Sequence, residues 1–120
     1  MEASQKKKSL WTREEHGVVL AYFSDHALLW DDDISRLEHE LEELLARQCY
    51  AIVLDFSAVR RLSSSVIAHL VRFQKAHKEN GGKLGLCALS PEVRKVLQLS
   101  RVEKLFTIYK DESAAVDAML

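Results

Sequence analysis

Two apolar runs of strand length, Leu10-Trp11-Thr12-Arg13 and Val18-Val19-Leu20-Ala21-Tyr22-Phe23, flank the polar, glycine-containing stretch Glu15-His16-Gly17. That pattern predicts a hairpin of two short strands. Beyond Ser24 to Trp30, Asp31-Asp32-Asp33 supplies side-chain oxygens for free amides and negative charge for the positive end of a helix dipole, so a helix is predicted to start there. Ile34, Leu37, Leu41, Leu44 and Leu45 then recur at helical spacing, with Arg36 and Glu40, and Glu43 and Arg47, set for ion pairs on the solvated side.

Tyr50-Ala51-Ile52-Val53-Leu54 is continuously apolar, the mark of a strand covered on both faces, and Asp55 and Ser57 end it. Val66, Ile67, Leu70, Val71 and Phe73 return to helical spacing behind Ser63 as N-cap, until Asn80-Gly81-Gly82 stops the helix. Lys83 to Ala88 reads as a second buried strand. Ser90-Pro91-Glu92 combines a cap, a proline at the first helical position and an acid behind it, predicting a helix with Val93, Val96, Leu97 and Leu99 inward. Phe106 to Tyr109 closes the set of strands. Asp111-Glu112-Ser113 starts a terminal helix with Val116, Ala118, Met119 and Leu120 inward.

Helices alternating with buried strands require an α/β fold: a mixed, mostly parallel sheet of about five strands with about four helices and right-handed crossovers. Residues 10–120 are expected to form this single domain, and 1–9 a flexible N-terminal segment. With 120 residues, 48% of them hydrophobic, the chain fills one core and no second. Ligand sites in such sheets lie where strands end and helices begin. Arg60-Arg61-Leu62-Ser63-Ser64-Ser65 sits at that edge.

Charge narrows the function. Seventeen basic against eighteen acidic side chains leave a net charge of -1, which offers no global attraction to nucleic acid or anionic lipid. The longest apolar run, Val18 to Phe23, falls short of the ~20 residues that span a bilayer, and Met1 to Lys8 lacks the apolar block of a secretory signal. A cytoplasmic protein without membrane insertion is expected. Lys6 to Lys8 and the acidic run from Glu38 to Glu43 read as solvated surface, and Trp30 as packed on the domain's own helix. Cys49 and Cys87 read as buried thiols.

No Gly-x-Ser-x-Gly elbow, glycine-rich phosphate loop or chelating histidine pair is present, so neither catalysis, cofactor nor metal is expected. His16, His26, His39, His69 and His77 read as surface or partly buried side chains. The serine turn remains. Hydroxyls at a helix N-terminus stand beside unpaired amides, where a phosphate is tolerated by its own domain yet disturbs a protein docked over it.

Ile52 to Val59, Leu62 to Ile67, Gly81-Gly82-Lys83-Leu84, Ser90 to Leu97 and Leu105 to Tyr109, in this order and spacing, resemble STAS domains, the family of sulfate transporters and anti-sigma-factor antagonists. The resemblance spans nearly the whole chain. It implies a non-catalytic regulator that binds a protein acting as both anti-sigma factor and serine kinase. Family antagonists typically read Asp-Ser-Ser-Gly at this turn; here Ser63 stands for the aspartate and Val66 for the glycine, which makes Ser64 the phosphorylated position. Partner binding is implied for Ser63, Ser65 and Val66, for Ser57, and for the loop Ser24-Asp25-His26, with phosphorylation releasing the partner. Arg101 stands near a position where the family often has glycine. The alternative is a STAS scaffold or adaptor module of a signalling or transporter complex without a phosphorylation switch. Assembly into a homo-oligomer stays open in either case.

Overall fold

His16 and Gly17 close the first hairpin with φ of 54° and 82°, two left-handed residues in succession, which matches the twist of the strands they join. The structure, a computed structural model, describes residues 10–23 and 34–120. The N-terminal segment 1–9, Ser24, Asp25, His26, Trp30 and the Asp31 to Asp33 cap all lie outside the described residues.

Strands β1 (Leu10–Glu15) and β2 (Val18–Phe23) are followed by α1 (Ile34–Ala46), β3 (Ala51–Asp55), α2 (Ser64–Glu79), β4 (Lys83–Cys87), α3 (Pro91–Leu99), a 3₁₀ turn (Glu103–Leu105), β5 (Thr107–Tyr109) and α4 (Glu112–Met119). The five strands form one sheet in sequence order. β1 is antiparallel to β2, and β2, β3, β4 and β5 are parallel.

Alternation along the strands divides the core in two. Val19, Ala21, Ile52, Leu54, Leu84 and Leu86 face one side, where Leu37, Leu41, Leu44, Val66, Ile67, Leu70, Phe73, Val93 and Leu97 close over them. Val18, Leu20, Ala51, Val53 and Cys87 face the other, covered by Ala115 and Val116 of α4. Burying a Leu or Phe side chain contributes about 1.5–3 kcal/mol, so the first face carries most of the stabilisation.

Several inward assignments at helix ends are corrected. Leu99 and Leu120 are 73% and 72% exposed; Leu99 is the last residue of α3, and Leu120 follows the end of α4. On α4 the buried residues are Ala115 and Val116, whereas Ala118 is exposed. Glu43 pairs with His39 at 3.3 Å, while Arg47 reaches the Thr12 hydroxyl at 3.5 Å. The two therefore do not form the expected ion pair.

Helices α2 and α3 end in the same way. Gly81 (φ 84°) and Arg101 (φ 61°) turn left-handed, Gly82 N–H donates to His77 O at 2.9 Å, and Val102 N–H donates to Leu97 O at 3.1 Å. These bonds satisfy carbonyls that the helix itself leaves open. Among the described residues no helix is long and apolar enough to cross a membrane.

Candidate functional site

The site begins where β3 stops. Asp55, its last residue, is buried at 5% exposure, and its Oδ1 accepts the Ser57 amide at 2.7 Å, bending the chain out of the sheet. Phe56 N–H still donates to Cys87 O at 3.0 Å, so the ladder continues one residue past the strand. The Phe56 ring packs against Phe23 with centroids 4.9 Å apart at 54°, a tilted aromatic contact that ties this corner to β2.

Three apolar anchors fix the loop. Phe56, Val59 and Leu62 are buried at intervals of three, while Ser57, Arg60 and Arg61 between them are exposed. Val59 N–H donates to Phe56 O at 2.9 Å, holding the first bend. The chain carries this spacing, but each anchor stands alone among polar or small neighbours, so no periodic element signals it.

Ser63 has the extended backbone of an N-cap, and its Oγ accepts the Val66 amide at 3.2 Å. Ser64 and Ser65 follow as the first residues of α2, both exposed. Among the described residues the hydroxyls of Ser57, Ser64 and Ser65 make no hydrogen bond. Val66 is fully buried in the core, so its side chain pins α2 to the sheet and presents nothing to a docked protein. Of the residues singled out from the sequence, Ser57, Ser64 and Ser65 are exposed, Ser63 is partly buried, and Val66 is buried in the core.

The electrostatics of this surface are positive. The N-terminus of α2 contributes about half an elementary charge. Arg60 and Arg61 add two exposed basic side chains in the loop before the helix, and Asp55 at the end of β3 is buried. Asp55 lies beside Cys87 on β4. Burial, and then the Asp55 charge, pushes the Cys87 thiol up to about 12, so it stays neutral and unreactive.

His77, expected from the sequence at the surface or partly buried, is instead a buried titratable group. His77 is 3% exposed, stacks on Phe73, and its Nε2 lies 3.0 Å from both Tyr50 O and Lys83 O. It continues the stripe of Val66, Leu70 and Phe73, which was the available signal. Its place at the start of β3 and β4 is the opposite end of the sheet from the serines.

Over 104 residues the chain is 28% identical to the anti-sigma F factor antagonist of Paenibacillus polymyxa, covering 86% of this chain and 88% of that protein. A solved structure of an anti-sigma-factor antagonist (STAS) domain protein from Planctomyces limnophilus is similar with a TM-score of 0.76 at 26% identity, covering 92% of this chain and 97% of that one. The anti-sigma factor antagonist SpoIIAA in its unphosphorylated form and the Bacillus SpoIIAA in its phosphorylated form share the fold with TM-scores of 0.74 and 0.65 at 17% and 16% identity, covering 92% of this chain in both cases and 95% and 99% of those chains. With the mixed sheet, the capped serine turn and a match to the STAS domain over residues 23–115, the chain belongs to the STAS domain family.

Proposed function

We propose that this domain is a protein-binding switch of the anti-sigma-factor-antagonist type. Its serine turn docks a partner that is both anti-sigma factor and serine kinase, and phosphate on Ser64 releases that partner. The observation that carries the reading is the division of labour among the serines: Ser63 spends its hydroxyl on the cap, whereas Ser64 is exposed with its hydroxyl unengaged by any described residue.

A phosphate on Ser64 adds a charge of about -1.5 to -2 beside the α2 dipole and Arg60 and Arg61. The domain itself tolerates that charge. A protein packed on the same turn meets a bulky hydrated dianion and loses complementarity. Ser57 and Ser65 widen the docking face, to which Ser24, Asp25 and His26 contribute as the family resemblance implies. The existence of SpoIIAA in two phosphorylation states supports the reading by analogy of fold.

The test uses an anti-sigma factor with serine-kinase activity, ATP and the wild-type domain, followed by peptide mapping. Phosphate on Ser64, its loss in Ser64→Ala, and at least tenfold weaker binding of Ser64→Glu are expected. An affinity indifferent to Ser64→Glu, with no phosphate on the turn, would replace the switch by an adaptor.

A further inference from the structure

Strand β1 is the outer strand of the sheet, paired with β2 alone among the described residues. The turn His16-Gly17 makes Glu15 and Val18 a hydrogen-bonded pair, so by alternation Arg13 and Trp11 also bond inward, to Leu20 and Tyr22. The amides and carbonyls of Leu10, Thr12 and Glu14 therefore point out of the sheet. Leu10 N–H shows the direction, because it donates to Glu40 Oε1 of α1 at 3.1 Å. The outward groups of Thr12 and Glu14 have no partner among the described residues.

Charged side chains on an edge strand ordinarily keep other strands away, and here their order along the strand decides the outcome. Trp11 and Arg13 point to the α4 face, as do their cross-strand neighbours Tyr22 and Leu20, while Leu10, Thr12 and Glu14 point to the opposite face, with α1. Trp11 is 56% exposed. Arg13 is held in place: its Nε donates to the Tyr22 hydroxyl at 2.9 Å, and its other nitrogens pair with Glu15 at 2.9 Å and Glu112 at 3.1 Å. On the α1 face Arg47 reaches the Thr12 hydroxyl at 3.5 Å, and neither Arg47 nor Glu14 pairs with an opposite charge among the described residues.

A second copy laid antiparallel along this edge has few registers that use the outward groups. With the two-fold axis at Arg13 or at Glu14, that residue faces itself and like charges meet. With the axis at Trp11, both central pairs call on Leu10 N–H, which Glu40 already holds. With the axis at Thr12, the two Thr12 residues exchange backbone bonds, Glu14 N–H meets Leu10 O, and Trp11 stands opposite Arg13 on both sides of the axis. Arginine over an indole ring is a favourable pair. Glu14 of the second copy, opposite Leu10, then comes diagonally beside Thr12 and within reach of Arg47.

We propose that β1 is a homodimerisation edge, two copies joining through antiparallel β1 strands about a two-fold axis at Thr12. Pairing through one six-residue strand buries less than about 1,200 Å², so the dimer is weak and reversible.

Sedimentation equilibrium from about 10 µM to about 1 mM tests the assignment, and a monomer–dimer equilibrium with a Kd on the order of 0.1 mM is expected. Trp11→Ala, an exposed change, should weaken the dimer about tenfold. Thr12→Pro should weaken it as strongly and keep the fold, because the N–H that it removes points away from β2; amide spectra unchanged outside β1 check the fold. Glu14→Lys and Arg47→Glu should each weaken the dimer about threefold, and an equimolar mixture of the two should recover wild-type affinity, since the mixed dimer has opposite charges at both contacts. A chain still monomeric at about 1 mM, a dimer indifferent to Trp11→Ala and Thr12→Pro, or a mixture no tighter than the separate variants would overturn the proposal.

Discussion

The Ser63 hydroxyl accepts the Val66 amide at 3.2 Å, and that single bond separates the structural serine of the turn from the two exposed ones. An N-cap hydroxyl satisfies an amide that the helix leaves open, and replacing it by Ala costs about 1 kcal/mol. Ser63→Ala is therefore expected to lower the free energy of unfolding in urea by about 1 kcal/mol, and Ser63→Asp to preserve it. Ser64→Ala, an exposed change without a lost bond, should stay within about 0.5 kcal/mol of wild type. If the two alanine variants were equally destabilised, the cap would be misassigned.

Arg101 occupies the left-handed position that closes α3, with φ of 61°, and it does what Gly81 does at the end of α2. A side chain there costs roughly 1–2 kcal/mol, part of which glycine gives back through its more flexible unfolded chain. Arg101→Gly should raise stability by about 0.5–1 kcal/mol, and Gly81→Ala should lower it by about 1 kcal/mol. Thermal unfolding of the pair gives the signs directly. Destabilisation by Arg101→Gly would mean that the Arg101 side chain contributes more than the backbone loses.

Gly82 and His77 meet where α2 turns into β4. A Cβ on Gly82 would lie 2.2 Å from His77 Cε1, and the ring cannot withdraw without leaving Tyr50 O and Lys83 O. Gly82→Ala is expected to cost more than about 2 kcal/mol, in the range of overpacked cores. Removing the ring removes the clash: Gly82→Ala should cost less than about 1 kcal/mol in a His77→Ala background, a coupling that a double-mutant cycle measures. Additive losses would place the obstacle elsewhere.

Local chemistry made much of this molecule legible. Ser63 and Ser90 were readable as caps because a hydroxyl before a periodic apolar stretch has a definite partner, an amide three residues on, and both bonds are present at 3.2 and 3.1 Å. The buried runs of β3 and β4 named their own place in the sheet. What stayed hidden depends on distance from the sheet and on contacts remote in sequence. Leu99 and Leu120 fit helical spacing yet overhang the core, and the role of His77 arises from carbonyls of β3 and β4. The anchors Phe56, Val59 and Leu62 are silent in the sequence for a related reason: a loop has no fixed period, so burial at every third residue becomes meaningful only against the sheet edge it covers.

Cys87 links the site corner to the stability of the whole domain at high pH. Its thiol is fully buried and is pushed up from 9.0 to about 12, chiefly by burial and next by the neighbouring Asp55 charge. In the unfolded chain the thiol ionises near 9.0, while the folded protein keeps the proton. Between these values the native state binds more protons, so stability must fall as pH rises, with a slope of about 1.4 kcal/mol per pH unit from this group. The contribution is fully present below pH 9. Other lysines and tyrosines titrate in the same window, and comparison with Cys87→Ala removes their common effect. The stability advantage of wild type over Cys87→Ala in urea unfolding should be constant from pH 7 to 8.5 and then shrink by about 2 kcal/mol by roughly pH 10.5. Parallel curves for the two proteins would show that the thiolate is accommodated in the fold, by water reaching Cys87 or by movement of Asp55.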